Sequence, residues 1–189
     1  MQLQLVSGLD SSRLRYAAHV LFERVLGLDL LFLRAGAGHD ARLPVVFYGN
    51  PVGGLDLPCE PGLDSGAFPE LPEVLQSAEA LDTALQADLL SFDPLLAVFY
   101  AISLPQLYEL GAPLDRHGRY DFRQLYPFAN GLHQQPVVHE IAACVWHRLK
   151  RHYPQLERPT RAFATEVTLD IDQPWRYLHK PNWVQVGGL

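Results

Sequence analysis

Residues 10–33 read DSSRLRYAAHVLFERVLGLDLLFL, and this stretch decides the fold class. Asp10, Ser11 and Ser12 each offer a side-chain oxygen to the free amides at a helix start. Leu14, Ala17, Ala18, Leu21, Phe22, Val25 and Leu26 then recur at helical spacing, which predicts an amphipathic helix. Gly27 closes it, because glycine enters the left-handed region at a helix end without steric cost. The apolar run 28–33 follows at once and reads as a buried strand. A helix feeding directly into a buried strand excludes both a pure bundle and a pure sandwich.

The chain to the right keeps interleaving the two element types. Gly36, Gly38, His39 and Asp40 form a turn or loop, after which Val45–Tyr48 reads as a second strand. Residues 49–73 are rich in glycine and proline, with 52–57 as the strand among them. Part of 74–91 is helical on the spacing of Leu75, Ala78, Leu81, Leu85 and Leu89. Asp93 followed by Pro94 marks a sharp helix start, with Leu95, Leu96, Val98, Phe99, Tyr100 and Ile102 making that helix apolar; Pro105 breaks or bends it. Residues 109–130 read as an ordered loop, and a long helix opens near Pro136 and ends before Pro154. The alternating, β-favouring stretch 163–171 reads as a strand. The expected class is α+β (mixed α/β), with helices packed on a small mixed sheet.

Composition narrows the function classes. Hydrophobic residues make up 48% and charged residues 19%, which suits a buried core and not a disordered chain. A net charge of -6 opposes a polyanion-binding surface, so no nucleic-acid partner is expected. The basic run 147–152 reads as a solvated helix face. Cys59 and Cys144 lie far apart and form no CxxC pair; one bridge between them stays open. The first six residues lack the basic start and apolar core of a signal peptide, and no run approaches the ~20 apolar residues of a membrane span. A cytoplasmic location without a membrane span is the expectation.

Several short motifs bear on chemistry. His139-Glu140 has Ala143 where a zinc-protease helix needs its second histidine, and His147 falls on another part of the helix surface. No serine sits in a G-x-S-x-G context, and Gly53-Gly54 is a turn signal with no phosphate loop around it. Asp115, Arg116, His117 and Arg119 make a polar loop that reads either as a small binding site or as ordinary Asp/Gly turn chemistry. Asp170 and Asp172 are two apart on the last predicted strand, so both carboxylates reach one face and converge on one cation or one water.

Five stretches, taken in order, carry a family resemblance. They are Leu14-Arg15-Tyr16 through Val25-Leu26-Gly27-Leu28; Ser91-Phe92-Asp93-Pro94 into Val98-Phe99-Tyr100-Ala101-Ile102-Ser103; Leu114-Asp115-Arg116-His117-Gly118-Arg119-Tyr120; Gln135-Pro136-Val137-Val138-His139-Glu140; and Thr168-Leu169-Asp170-Ile171-Asp172-Gln173-Pro174-Trp175 with Lys180 behind it. Together they resemble the N-terminal region of polysaccharide-deacetylase-like proteins of Bacteroidetes-type bacteria, which pair an uncharacterised domain with a carbohydrate-esterase barrel.

The resemblance implies an accessory domain over 1–160 and the start of a truncated barrel over 161–189. It implies the catalytic-base position for Asp170 and a metal-binding position for Asp172 after a one-residue spacing change. A divalent, zinc-like metal needs about three protein ligands and a water, and beyond Asp172 the chain offers a single histidine, His179. The expectation is therefore a domain that is inactive and cofactor-free alone, with a barrel or a glycan as partner. The alternatives are an enzyme half, part of a metal-dependent carbohydrate deacetylase completed by a missing or separate barrel chain, and a stand-alone glycan-binding module. Trp175, Tyr177 and Trp183 either line a sugar-binding surface or form the seam against that barrel.

Overall fold

Gln2–Ser7 forms a strand, β1, and lies inside the sheet. The sequence reading placed no element there. Leu3 and Leu5 point to one side and Gln4 and Val6 to the other, the period-2 pattern of a strand, and strands pair on both edges to hold it. In this computed structural model the residues described are 1–49, 54–64, 66, 68–87, 90–108, 114–160 and 164–168. The chain divides into two units, Met1–Pro159 and Thr160–Leu189.

In the first unit the order continues with α1 (Ser12–Ala18), a π-helical segment (His19–Val25), β2 (Asp29–Arg34), β3 (Val45–Tyr48) and β4 (Leu55–Leu57). Then come α2 (Ala78–Gln86), α3 (Pro94–Ser103), a short α4 (Tyr126–Ala129) and α5 (Val137–His152). The four strands are parallel throughout, in the order β2-β1-β3-β4. This is the expected α+β class, helices packed on a small sheet, although among the described residues the sheet is wholly parallel and not mixed.

The local reasons are visible in the caps. Ser11 is the N-cap of α1, its Oγ accepting from the Leu14 amide at 3.1 Å. The single helix predicted over 14–26 widens after Ala18 into π-helical turns, and the Leu26 amide reaches back to the Leu21 carbonyl at 3.0 Å. Gly27 has φ 75°, as a helix-ending glycine requires. Asp93 caps α3 with Pro94 in its first turn, and α3 ends at Leu104, which takes φ 45° just before Pro105. A non-glycine residue rarely adopts that conformation; here it turns the chain at once into a 3-10 turn, Pro105–Tyr108.

A parallel sheet needs cover on both faces. Leu3, Leu5, Val46, Tyr48, Leu55 and Leu57 look into one large core with Leu14, Leu21 and Phe22, the apolar face of α3, and Ile141, Val145 and Leu149 of α5. The other face holds the smaller cluster Val6, Val45 and Phe47, with Leu33 beside it. The β2–β3 loop runs over that face: the Gln4 side chain exchanges two 2.8 Å hydrogen bonds with the backbone of Asp40, and His39 meets Phe47 edge-on at 5.9 Å.

β4 begins opposite Val46, so Val45 has no strand beside it on that side. The Tyr153 hydroxyl fills the place, accepting from the Val45 amide at 3.1 Å and donating to its carbonyl at 2.7 Å. In the second unit, residues 164–168 are exposed and belong to no strand, which corrects the reading of 163–171 over those positions. Among the described residues nothing pairs with their backbone to make a ladder. Positions 163 and 169–171 lie outside the described residues.

Candidate functional site

β2 and β3 flank β1 on opposite sides, so the strand order reverses at β1. In open parallel sheets ligands settle beyond the carboxyl ends of the strands at such a reversal. In this protein the chain itself closes that place. Leu63 is fully buried, and its carbonyl accepts from Ser11 Oγ at the start of α1. The Gly62 carbonyl accepts from Arg13 Nη1 at 3.1 Å. The Glu60 amide donates to Asp93 Oδ2 at 2.9 Å, tying the same segment to the start of α3. Gly62 has φ 136°, and a Cβ there would stand 2.7 Å from Pro69 Cβ, so only glycine fits.

Asp93 is the hub of this closure. Its Oδ1 accepts from the Leu95 and Leu96 amides, both at 2.9 Å, and its Oδ2 from Tyr48 and Glu60. Burial raises its pKa, and the Tyr48 hydroxyl and three amides pull against that rise. Burial and the Asp93 charge hold the Tyr48 phenol far above its usual range. Cys59 is exposed as a residue, yet its thiol lies beside Tyr48, where burial pushes it up. A thiol shifted that way is a weak nucleophile, and a phenol so raised donates no proton near neutrality. The chemistry of this cluster is that of a cap and strut.

The polar loop proposed from sequence is a tight turn. Asp115 Oδ1 accepts from the His117 and Arg119 amides at 2.8 and 2.9 Å, and Oδ2 accepts from Arg119 Nε and Nη2 at 3.0 and 2.8 Å. These contacts hold the Asp115 carboxyl below its ordinary range. Arg116 donates to His117 Nε2 at 3.0 Å, and a Leu114–Tyr120 bridge closes the hairpin. His139 and His147 stand exposed on α5. Asp170, Asp172, Trp175, Tyr177, His179 and Trp183 lie outside the described residues. Among the described residues no group of three or more His, Cys, Asp or Glu side chains is placed to hold a metal.

What sequence reasoning missed is a surface of exposed rings. Tyr108 is 67% exposed and stacks nearly parallel to Phe68 at 6.1 Å. The hydroxyl of exposed Tyr120 donates to the carbonyl of Leu107, the chain neighbour of Tyr108. Two residues on, Phe122 is 55% exposed and meets Phe128 edge-on at 5.2 Å, and Phe128 stacks on His133 at 4.5 Å. The scaffold is firm beneath: Asp121 Oδ1 caps a 3-10 turn at Phe122–Gln124, and Gln106 Oε1 accepts from the Tyr126 amide at 3.0 Å. Arg123 lies 5.3 Å over Phe122, and Arg116 and Arg119 sit in the exposed turn that precedes Tyr120. The available signal was the interleaving of Tyr108, Tyr120, Phe122 and Phe128 with polar residues in a segment without regular elements.

Among known proteins, the family described as "Family of unknown function (DUF7033)" matches residues 3–154. No curated protein and no solved structure matches the chain.

Proposed function

The chain belongs to the DUF7033 family, and from that premise we propose that its first unit is a non-catalytic accessory domain that binds glycan for a polysaccharide-deacetylase-like protein. The exposed ring surface from Phe68 to His133 carries this reading. Flat rings open to solvent take the apolar C–H face of a pyranose, while Arg123 and the Asp121 carboxylate offer partners to its hydroxyls. Several large apolar side chains left together in water mark an interaction surface more than an accident of folding. The closed crevice supports the non-catalytic half of the proposal, because its carboxylate, phenol and amides are consumed in holding the fold. The link to deacetylases rests on the sequence resemblance alone.

Affinity electrophoresis through gels containing glycol chitin, xylan or laminarin tests the proposal. At least one glycan is expected to retard the chain, and Tyr108→Ala/Phe122→Ala is expected to relieve the retardation. Retardation by none of them, or retardation indifferent to the double substitution, rejects the glycan-binding reading. The accessory reading also implies that the chain alone binds no zinc tightly by titration calorimetry. Tight binding abolished in Asp170→Asn/Asp172→Asn would replace it with the enzyme-half reading.

A further inference from the structure

β2 stands at one end of the sheet, and among the described residues nothing pairs along its outer side. The Asp29 amide donates to the Met1 carbonyl at 2.9 Å and the Ala35 amide to the Ser7 carbonyl at 2.8 Å, so the odd-numbered residues of β2 turn their backbone groups to β1. Leu30, Phe32 and Arg34 turn theirs outward. Glu23 Oε1 accepts from the Leu30 amide at 3.2 Å, but the Phe32 and Arg34 amides have no acceptor among the described residues. The strand is apolar from Leu30 to Leu33, and Leu31 is 38% exposed. An apolar edge with open backbone groups is a template for another strand. Charge along this edge runs in one direction. Where β2 ends, the Asp10 carboxylate is shared by two arginines, Arg15 at 2.7 Å and Arg34 at 3.0 Å, which leaves positive charge in excess. Where β2 begins, the Glu23 carboxylate stands over Leu30.

We propose that β2 pairs antiparallel with β2 of a second copy of this chain, about a two-fold axis at Phe32, so that two four-stranded sheets become one. An antiparallel two-fold sets the positive end of each edge against the negative end of the other. Residues exchange bonds only where both turn their backbone groups outward, and this leaves few registers. With Phe32 opposite the partner's Phe32, Leu30 faces the partner's Arg34 and Leu31 faces the partner's Leu33. Each cross-strand neighbour of an apolar residue is then apolar, apart from Arg34, and the Arg34 guanidinium reaches the Glu23 carboxylate that stands over Leu30. The Leu30 amide, released by Glu23, donates to the Arg34 carbonyl instead. Sliding the register so that Leu31 is central sets Asp29 against Leu33 and calls on the Leu28 amide, which already serves the Phe22 carbonyl at 2.8 Å. Sliding it the other way sets Arg34 against Phe32 and draws the two positive ends together. The pairing does not depend on the glycan reading, and the two proposals stand or fall separately.

The test is the mass of the full chain by light scattering, read beside amide hydrogen exchange, from about 1 μM to about 1 mM. The mass should rise toward twice that of one chain. Over the same range exchange at the Phe32 and Arg34 amides should slow, while Leu31 and Leu33, already bonded to β1, hardly change. Glu23→Arg and Arg34→Glu, each checked for an unchanged thermal transition, should each weaken association at least about ten-fold by setting like charges together. The double exchange Glu23→Arg/Arg34→Glu should restore most of it. The mass of a single chain at every concentration overturns the proposal. So does an assembly in which the Phe32 amide exchanges as fast as in the single chain, or a double variant that associates no more tightly than either single one.

Discussion

The Tyr48 hydroxyl donates to Asp93 Oδ2 at 2.5 Å, across 45 residues of sequence. One bond thereby joins the last residue of β3 to the residue that caps α3. Both partners are buried, and the same carboxylate also holds the segment through Glu60 that closes the carboxyl end of the sheet. Sheet, helix and closing segment meet at one side chain.

Replacing Tyr48 with phenylalanine keeps the ring and removes the donor. A hydrogen bond to a buried charged group is worth about 1.5–3 kcal/mol, and Tyr48→Phe should lose that much. In urea unfolding the midpoint should fall with little change of slope. A midpoint equal to that of the parent chain would remove Asp93 from the centre of this account.

The raised pKa of Asp93 has a sign that can be checked. The folded protein holds that proton more tightly than the unfolded chain, whose value is near 3.8. The stability this group contributes is full below 3.8 and is lost as pH rises through the folded value. Asp10, Asp40 and Asp115, lowered by their arginine partners and neighbouring amides, act in the opposite sense. Comparing the chain with Asp93→Asn cancels those groups. The stability difference, parent minus variant, should fall as pH rises from the acid end and then level. A difference that grows with pH would mean that the four donors outweigh burial.

Gly62 and Gly36 make a matched pair of tests. Both have positive φ, but a Cβ on Gly62 meets Pro69 and Leu96 at 2.7 and 3.1 Å, whereas one on Gly36 meets nothing within 4 Å. Gly36→Ala should cost only the backbone term, on the order of 1 kcal/mol. Gly62→Ala adds overpacking and should cost at least about 2–3 kcal/mol. Equal melting temperatures for the two variants would contradict the tight closure at residue 62.

Tyr153→Phe leaves the Val45 amide and carbonyl without their hydroxyl partner. We expect a loss of about 1–3 kcal/mol and faster hydrogen exchange at the Val45 amide, with the interior amides of β1 much less affected. Unchanged exchange at Val45 would show that another group takes over the edge.

Much of the fold was legible because its signals are local. The Asp93-Pro94 pair, the helical spacing from Leu14 to Leu26 and Pro154 each act within a turn or two of chain, and α1, α3 and α5 lie where they point. β1 escaped because six residues with glutamine at two of them resemble a frayed terminus until both neighbouring strands are in place. The ring surface escaped for a different reason. Tyr108, Phe122 and Phe128 have the composition of core residues, and only the tertiary structure shows that their neighbours do not cover them. Leu63, by contrast, sits in a glycine- and proline-rich stretch that reads as loop, yet it is wholly enclosed.

The seal that Tyr153 places on β3 has a consequence for biosynthesis. The two partners are 108 residues apart, so at about 5–20 residues per second a ribosome takes on the order of 5–20 s to deliver the tyrosine after the valine. Throughout that interval the Val45 end of β3, which β4 does not cover, keeps its amide and carbonyl without a partner on that side. Nascent chains are therefore most prone to sticking to one another before α5 is made, and slowing translation ahead of residue 137 should lower the soluble yield more than slowing it afterwards.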